Sequence, residues 1–191
     1  MSFFLGIDTS NYTTSTALFD SGADTVVQQK RLLPVKKGEK GLRQSDAVYL
    51  HLKQLPALLE ALFAGAEGRV RAVGVSVRPR DLEGSYMPCF EAGHASARAV
   101  GAALRVPVYP FSHQAGHIAA ALWSAGKLKL LEQPFLAFHV SGGTTEAVRV
   151  LPDPRTVFRV ELAARSLDLK GGQAVDRVGK LLGLPFPAGP A

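Results

Sequence analysis

The sequence predicts an α/β fold with a mixed sheet covered by helices, and three observations predict it. Short apolar runs closed by turn residues lead the chain. Apolar runs and helical periodicities alternate after them, which is the pattern of strands and covering helices. The opening strand and turn then recur in the second half of the sequence.

The elements follow in order. Phe3 to Ile7 is an apolar run closed by Asp8-Thr9-Ser10, Ser15 to Phe19 is a second strand ending in Asp20-Ser-Gly-Ala-Asp24, and Thr25 to Leu33 is a third. Val35 to Gln44 carries Lys36, Lys37, Lys40 and Arg43 with two glycines, the composition of a surface loop. Val48, Leu52, Leu55, Leu59 and Leu62 recur at three-and-four spacing, so a helix is expected from Ser45 or Asp46, kinked at Pro56. Ala72 to Val77 reads as a buried strand and Arg78 to Gly84 as the polar loop that closes it. Alanine-rich Phe90 to Leu104 predicts a helix, Val106 to Pro110 a strand, and the segment from His113 to about Trp123 a helix. Strands at Phe135 to Val140, Ala147 to Leu151 and Thr156 to Ala163 precede a last helix over Gly171 to Leu182.

Composition limits the function classes. The 191 residues are 47% hydrophobic, enough to bury one large or two small domains. Lys and Arg number 22 against 16 Asp and Glu, and this excess of +6 favours an anionic partner such as RNA or a nucleotide, a solvated surface being the other reading. Cys89 is the only cysteine, so an intrachain disulfide and a cysteine zinc site are excluded, and it reads as a small buried hydrophobe. The amino terminus has no export signal and no apolar stretch reaches membrane-spanning length, so a cytoplasmic protein without membrane contact is expected.

Two segments carry chemistry. His113 and His117, four residues apart, place both imidazoles on one helix face, where they can share a metal ion or remain two surface or core histidines. Ser141-Gly142-Gly143-Thr144-Thr145 follows an apolar run, as a phosphate-binding turn does, because glycine lets backbone N–H groups approach phosphate oxygens closely. Taken alone it also reads as a plain hairpin turn. Sliding Phe4 to Thr14 onto Phe135 to Thr145 matches Phe, Leu, Ser, Thr and Thr, so the second half restarts the first. A duplicated three-strand and helix unit with small-residue hairpins resembles the plan of the actin-like ATPases (ribonuclease H-like) and sugar kinases, in which paired hairpins grip nucleotide phosphates. The expected organisation is one complete lobe, 1–131, and the start of a second, 132–191.

Four motifs then stand in the order found in one family. Gly6-Ile-Asp-Thr-Ser10, His113-x-x-Gly116-His117, Val140-Ser-Gly-Gly143 and the segment from Gly172-Gln-Ala-Val-Asp176 to Gly189-Pro190 resemble the TsaD family, the tRNA threonylcarbamoyltransferases once called O-sialoglycoprotein endopeptidases. The resemblance spans essentially the whole chain. It implies an actin-like ATPase fold and transfer of a threonylcarbamoyl group from its adenylate to a tRNA adenosine. It also implies one iron or zinc ion on His113 and His117, and the phosphate of ATP or of the adenylate against Val140, Ser141, Gly142, Gly143 and Thr144. Asp176 and Gly189 would hold the ribose and adenine, and Asp8, Thr9 and Ser10 would supply the first hairpin. The partners implied are tRNA, in the full-length form, and a TsaB-like protein or a second copy of the chain. His51, His94 and His139 lie outside these motifs and read as structural or surface residues.

The chain also departs from the family. Where TsaD proteins continue Ser-Cys-Asp-Glu-Thr, this chain has Ser10-Asn11-Tyr12-Thr13-Thr14, so an acidic pair tied to catalysis is missing. Arg78-Pro79-Arg80 replaces a Gly-Pro-Gly loop, and Thr144 replaces a histidine. The family's last metal-binding aspartate and a substrate-binding asparagine lie beyond the part of the family matched, so a truncated, divergent paralogue with a weak two-histidine site is expected. A non-catalytic, TsaB-like scaffold is the alternative. A metalloprotease, suggested by the older family name, ranks last because no general-base glutamate lies in the histidine motif.

Overall fold

The computed structural model describes residues 1–35, 41–140, 143–185 and 188–189. Lys36, Lys37, Lys40, Ser141, Gly142 and Pro190, all named from the sequence, lie outside the described residues. The chain divides into two compact units, Met1–His117 and Ile118–Ala191, a division that falls before the expected lobe boundary after residue 131.

The first unit holds a five-stranded sheet. Its strands are β1 (Ser2–Asp8), β2 (Thr13–Asp20), β3 (Thr25–Leu32), β4 (Arg69–Arg78) and β5 (Val108–Ser112), in spatial order β3-β2-β1-β4-β5. β1 pairs antiparallel with β2 but parallel with β4, and β4 runs parallel to β5, so the sheet is mixed. The carboxyl ends of β1, β4 and β5 therefore meet along one rim, where ligands of open α/β sheets bind. β3 is one of the two edge strands of this sheet and is mostly exposed. Phe3, Leu5, Ile7, Leu18, Val73 and Val75 pack with Leu55 and Leu62 of α1 (Gln44–Phe63) and Ala97 of α2 (Phe90–Leu104). Each fully buried aliphatic side chain of this kind contributes about 1.5–3 kcal/mol.

Helix α1 differs from its sequence reading in which face it buries. Its core side is Ala47, His51, Gln54, Leu55, Leu58 and Leu62, while Leu52 is 47% exposed. The leucine spacing misplaces the face because two polar residues belong to it: His51 and Gln54 bond to buried Thr14 on β2, which lowers the cost of burying them. The helix starts one residue before Ser45, its N-cap Arg43 provides no side-chain cap bond, and it continues through Pro56.

The fifth strand lies two residues later than Val106. Arg105 takes a left-handed conformation at φ 56° to end α2, and Val106 N–H closes that turn on Gly101 O at 3.0 Å. Helix α3 (His113–Ser124) follows β5 without a linker. Its first turn is satisfied by Ser112 Oγ, which accepts from Ala115 N–H at 3.1 Å.

In the second unit a short 3-10 helix, Leu128–Glu132, absent from the sequence reading, precedes β6 (Phe135–Val140), β7 (Thr145–Asp153) and β8 (Val157–Arg165). These three pair antiparallel in the order β6-β7-β8, as β1, β2 and β3 do, and α4 (Gly171–Leu181) follows. The repeated meander is what the match between Phe4–Thr14 and Phe135–Thr145 anticipates. Val148, Val150, Phe158 and Val160 are its buried side chains. Among the described residues no helix is long and apolar enough to cross a membrane.

Candidate functional site

At the rim of the first unit, three strand ends converge on His113. Asp8 closes β1, Ser76 lies near the end of β4, and His113 opens α3 directly after β5. Asp8 Oδ2 is 2.8 Å from His113 Nδ1 and accepts from the Ser76 hydroxyl at 2.5 Å. Asp8 Oδ1 accepts from Ser10 N–H at 2.8 Å. Burial opposes ionisation of Asp8, but the hydrogen bond and charge of His113, with the bonds from Ser10 and Ser76, outweigh it and hold the carboxyl well below the usual range.

The two motif histidines meet as their spacing requires. The rings of His113 and His117 lie 4.2 Å apart at an interplanar angle of 71°, and Phe90 packs edge-on against His113 at 6.3 Å. Ser10 Oγ lies 3.5 Å from His113 Nε2, a long contact, so that nitrogen has no tight protein partner drawn from Ser10. Among the described residues no group of three or more His, Cys, Asp or Glu side chains is placed to hold a metal ion. Two imidazoles with neighbouring rings suit a divalent transition metal as part of a larger ligand set.

Thr9 holds two elements of the first unit together. It is fully buried; its hydroxyl donates to Cys89 O at 2.9 Å and accepts from Gly93 N–H at 3.0 Å. It thus fastens the end of β1 to the first turn of α2, and no hydroxyl proton remains for a ligand. Cys89 beside it is buried, as its composition reading holds, and burial pushes its thiol up. Arg78 pairs with Asp81 at 2.9 Å, and Gln114 N–H donates to Pro79 O at 3.1 Å, tying the Arg78-Pro79-Arg80 segment to the start of α3.

The second unit places the other predicted residues. Val140 is 57% exposed at the end of β6, in register with Thr145. A Cβ at Gly143 would meet nothing within 4 Å, so no protein contact requires glycine there. Thr145, the last residue of that motif, opens β7 and ties it to the start of α4: its Oγ1 accepts from Gly171 N–H at 2.7 Å. A Cβ at Gly171 would fall 2.8 Å from Val140 Cγ1, so the start of α4 sits directly against the end of β6. Asp176 and Gly189 are brought close, because Asp176 Oδ1 accepts from Ala188 N–H at 2.9 Å. Ala188 is buried and packs its methyl on Gly179. His139, in register with buried Glu146, lies 3.8 Å from its carboxylate.

Comparison with known proteins agrees with this architecture. YeaZ from Pseudomonas aeruginosa superimposes with a TM-score of 0.54 at 18% identity, over 87% of this chain and 67% of that one. Such a likeness shows the fold, the actin-like ATPase type. Relatives named tRNA N6-adenosine threonylcarbamoyltransferase match at 34% identity in Thermus thermophilus and 30% in Thermotoga neapolitana, each over 97% of this chain. The chain spans about half the length of these relatives, 54% in both. The sequence profile of TsaD, described as tRNA N6-adenosine threonylcarbamoyltransferase, matches residues 27–191, well over half of the chain, so the chain belongs to the TsaD family.

Proposed function

We propose that the full-length protein is a metal- and nucleotide-binding transferase that moves a threonylcarbamoyl group from an adenylate to a tRNA adenosine in the cytoplasm. The observation that carries this reading is the pair of adjoining imidazoles, His113 and His117, at the strand-end rim of a TsaD-family chain. These two side chains would hold iron or zinc, metals that imidazole nitrogen suits. A divalent ion bound there supplies a Lewis acid able to polarise a substrate carbonyl. Val140 and the turn through Ser141, Gly142, Gly143 and Thr144 would receive the phosphate of ATP or of the adenylate, which the open space at Gly143 favours. Asp176 and Gly189 would face the ribose and adenine, with Ser10 at the first hairpin. The lobes of this reading are 1–131 and 132–191, and the net charge of +6 suits a tRNA partner.

The metal content of the full-length gene product tests the reading. About one iron or zinc per chain is expected, lost in the His113→Ala/His117→Ala variant; equal metal content in that variant refutes the ligand assignment. ATP or a non-hydrolysable threonylcarbamoyl-adenylate mimic should raise the melting temperature.

One observation favours a non-catalytic, TsaB-like scaffold acting with a protein partner. The hairpin after Ser10 presents Asn11, at φ 52°, and Tyr12, 37% exposed, with no carboxylate. An absent thermal shift at saturating ligand, together with no transferase activity in the wild type or in Tyr12→Asp/Thr13→Glu, would select it.

A further inference from the structure

Asp8 is held too firmly, and in the wrong direction, to be read only as part of a nucleotide hairpin. Both its oxygens are committed: Oδ1 to Ser10 N–H, and Oδ2 to the Ser76 hydroxyl and to His113 Nδ1. An ionised carboxylate only accepts, so the Nδ1 it meets must carry the proton, and the lone pair of a neutral His113 is then on Nε2. A carboxylate on the far nitrogen of a ligating histidine fixes its tautomer and ring orientation and raises its basicity.

We propose that Asp8 is a positioning residue for metal binding: its hydrogen bond to His113 Nδ1 locks this imidazole, whose ring adjoins that of His117, with Nε2 unprotonated, and Ser76 and the Ser10 amide fix Asp8 in turn. The proposal rests on the reading of His113 and His117 as metal ligands. It moves Asp8 from the nucleotide side, where its motif put it, to the outer shell of the metal site. The locking itself requires no metal, because it is built from three hydrogen bonds already present in the chain.

The near-isosteric Asp8→Asn substitution discriminates. Ser10 N–H cannot reverse its polarity, so the amide oxygen of the variant stays on that side and its NH2 group turns toward Ser76 and His113. Ser76 can rotate to accept, but His113 Nδ1 must then give up its proton, which moves to Nε2 and blocks ligation. In the metal-free full-length protein, 15N shifts of the His113 ring should report the Nδ1–H tautomer in the wild type and the Nε2–H tautomer in Asp8→Asn. Cobalt(II) titration should show affinity weakened about 10- to 100-fold in Asp8→Asn. The wild-type tautomer alone keeps the test decisive if the variant does not fold: an Nε2–H His113 in the wild type overturns the proposal. Wild-type cobalt affinity in Asp8→Asn, while His113→Ala loses cobalt, also overturns it and leaves the metal reading standing. Unchanged cobalt affinity in both His113→Ala and His117→Ala overturns the metal reading itself.

Discussion

Thr14 Oγ1 lies 2.7 Å from His51 Nδ1 and donates to Gln54 Oε1 at 2.9 Å, within the contact between α1 and β2. With its proton given to Gln54, the hydroxyl can only accept from His51, so His51 carries a proton on Nδ1. His51 Nε2 is buried with no hydrogen-bond partner among the described residues. Burial pushes the pKa of His51 below its ordinary value, against the weaker opposing effects of the Asn11 backbone and the charge of Asp8.

The consequence is a defined pH dependence. Between the lowered folded pKa of His51 and its ordinary unfolded value of about 6.5, the unfolded chain binds a proton that the folded chain refuses. Stability from this residue is therefore complete above that unfolded value, and falls as the pH drops through the window below it. The slope approaches about 1.4 kcal/mol per pH unit at most. Urea denaturation between pH 5 and pH 8 should show this slope in the wild type and its loss in His51→Gln; equal slopes would refute the assignment.

Two glycines predict opposite responses to alanine. A Cβ at Gly93 would stand 2.8 Å from Thr9 Oγ1 and 3.4 Å from Ile7 Cγ2, and Thr9 cannot yield because both its hydrogen bonds are buried. Gly93→Ala should cost about 1–3 kcal/mol in chemical denaturation. Gly116, between the two motif histidines, would place its Cβ in open space within α3. Gly116→Ala should therefore stabilise the helix by about 0.5–1 kcal/mol. If it also lowers metal or nucleotide binding, the glycine is retained for access to a ligand rather than for the fold.

Asp176 couples the last helix to the segment after it. Asp176→Ala removes the bond to Ala188 N–H and should cost about 1 kcal/mol. Faster limited proteolysis around Ala188 is expected, and loss of the ATP-induced rise in melting temperature would tie the same carboxylate to the nucleotide. Proteolysis at the wild-type rate would show that Gly179 packing on Ala188 holds the segment without it.

Much of the fold was legible because its signals are local. Turn residues bound the strands, and the four-residue spacing of His113 and His117 suffices to bring their rings together once the segment is helical. The repeat of Phe4–Thr14 at Phe135–Thr145 announced the second meander. The buried face of α1 was not legible, since His51 and Gln54 read as surface residues until Thr14 is seen opposite them. Thr9 likewise matched a ligand-binding motif, yet its hydroxyl is spent on Cys89 and Gly93, 80 and 84 residues away.

The sequence by itself determined the element order, the family and the identity of the histidine pair, because periodicity, turn chemistry and ordered motifs act over a few residues. Only the tertiary structure decided what those histidines face. Asp8 reaches His113 across 105 residues and Ser76 across 68, through the pairing of β1, β4 and β5, and no local pattern encodes that register. Hydrogen bonding across parallel strands sets the partners of the site.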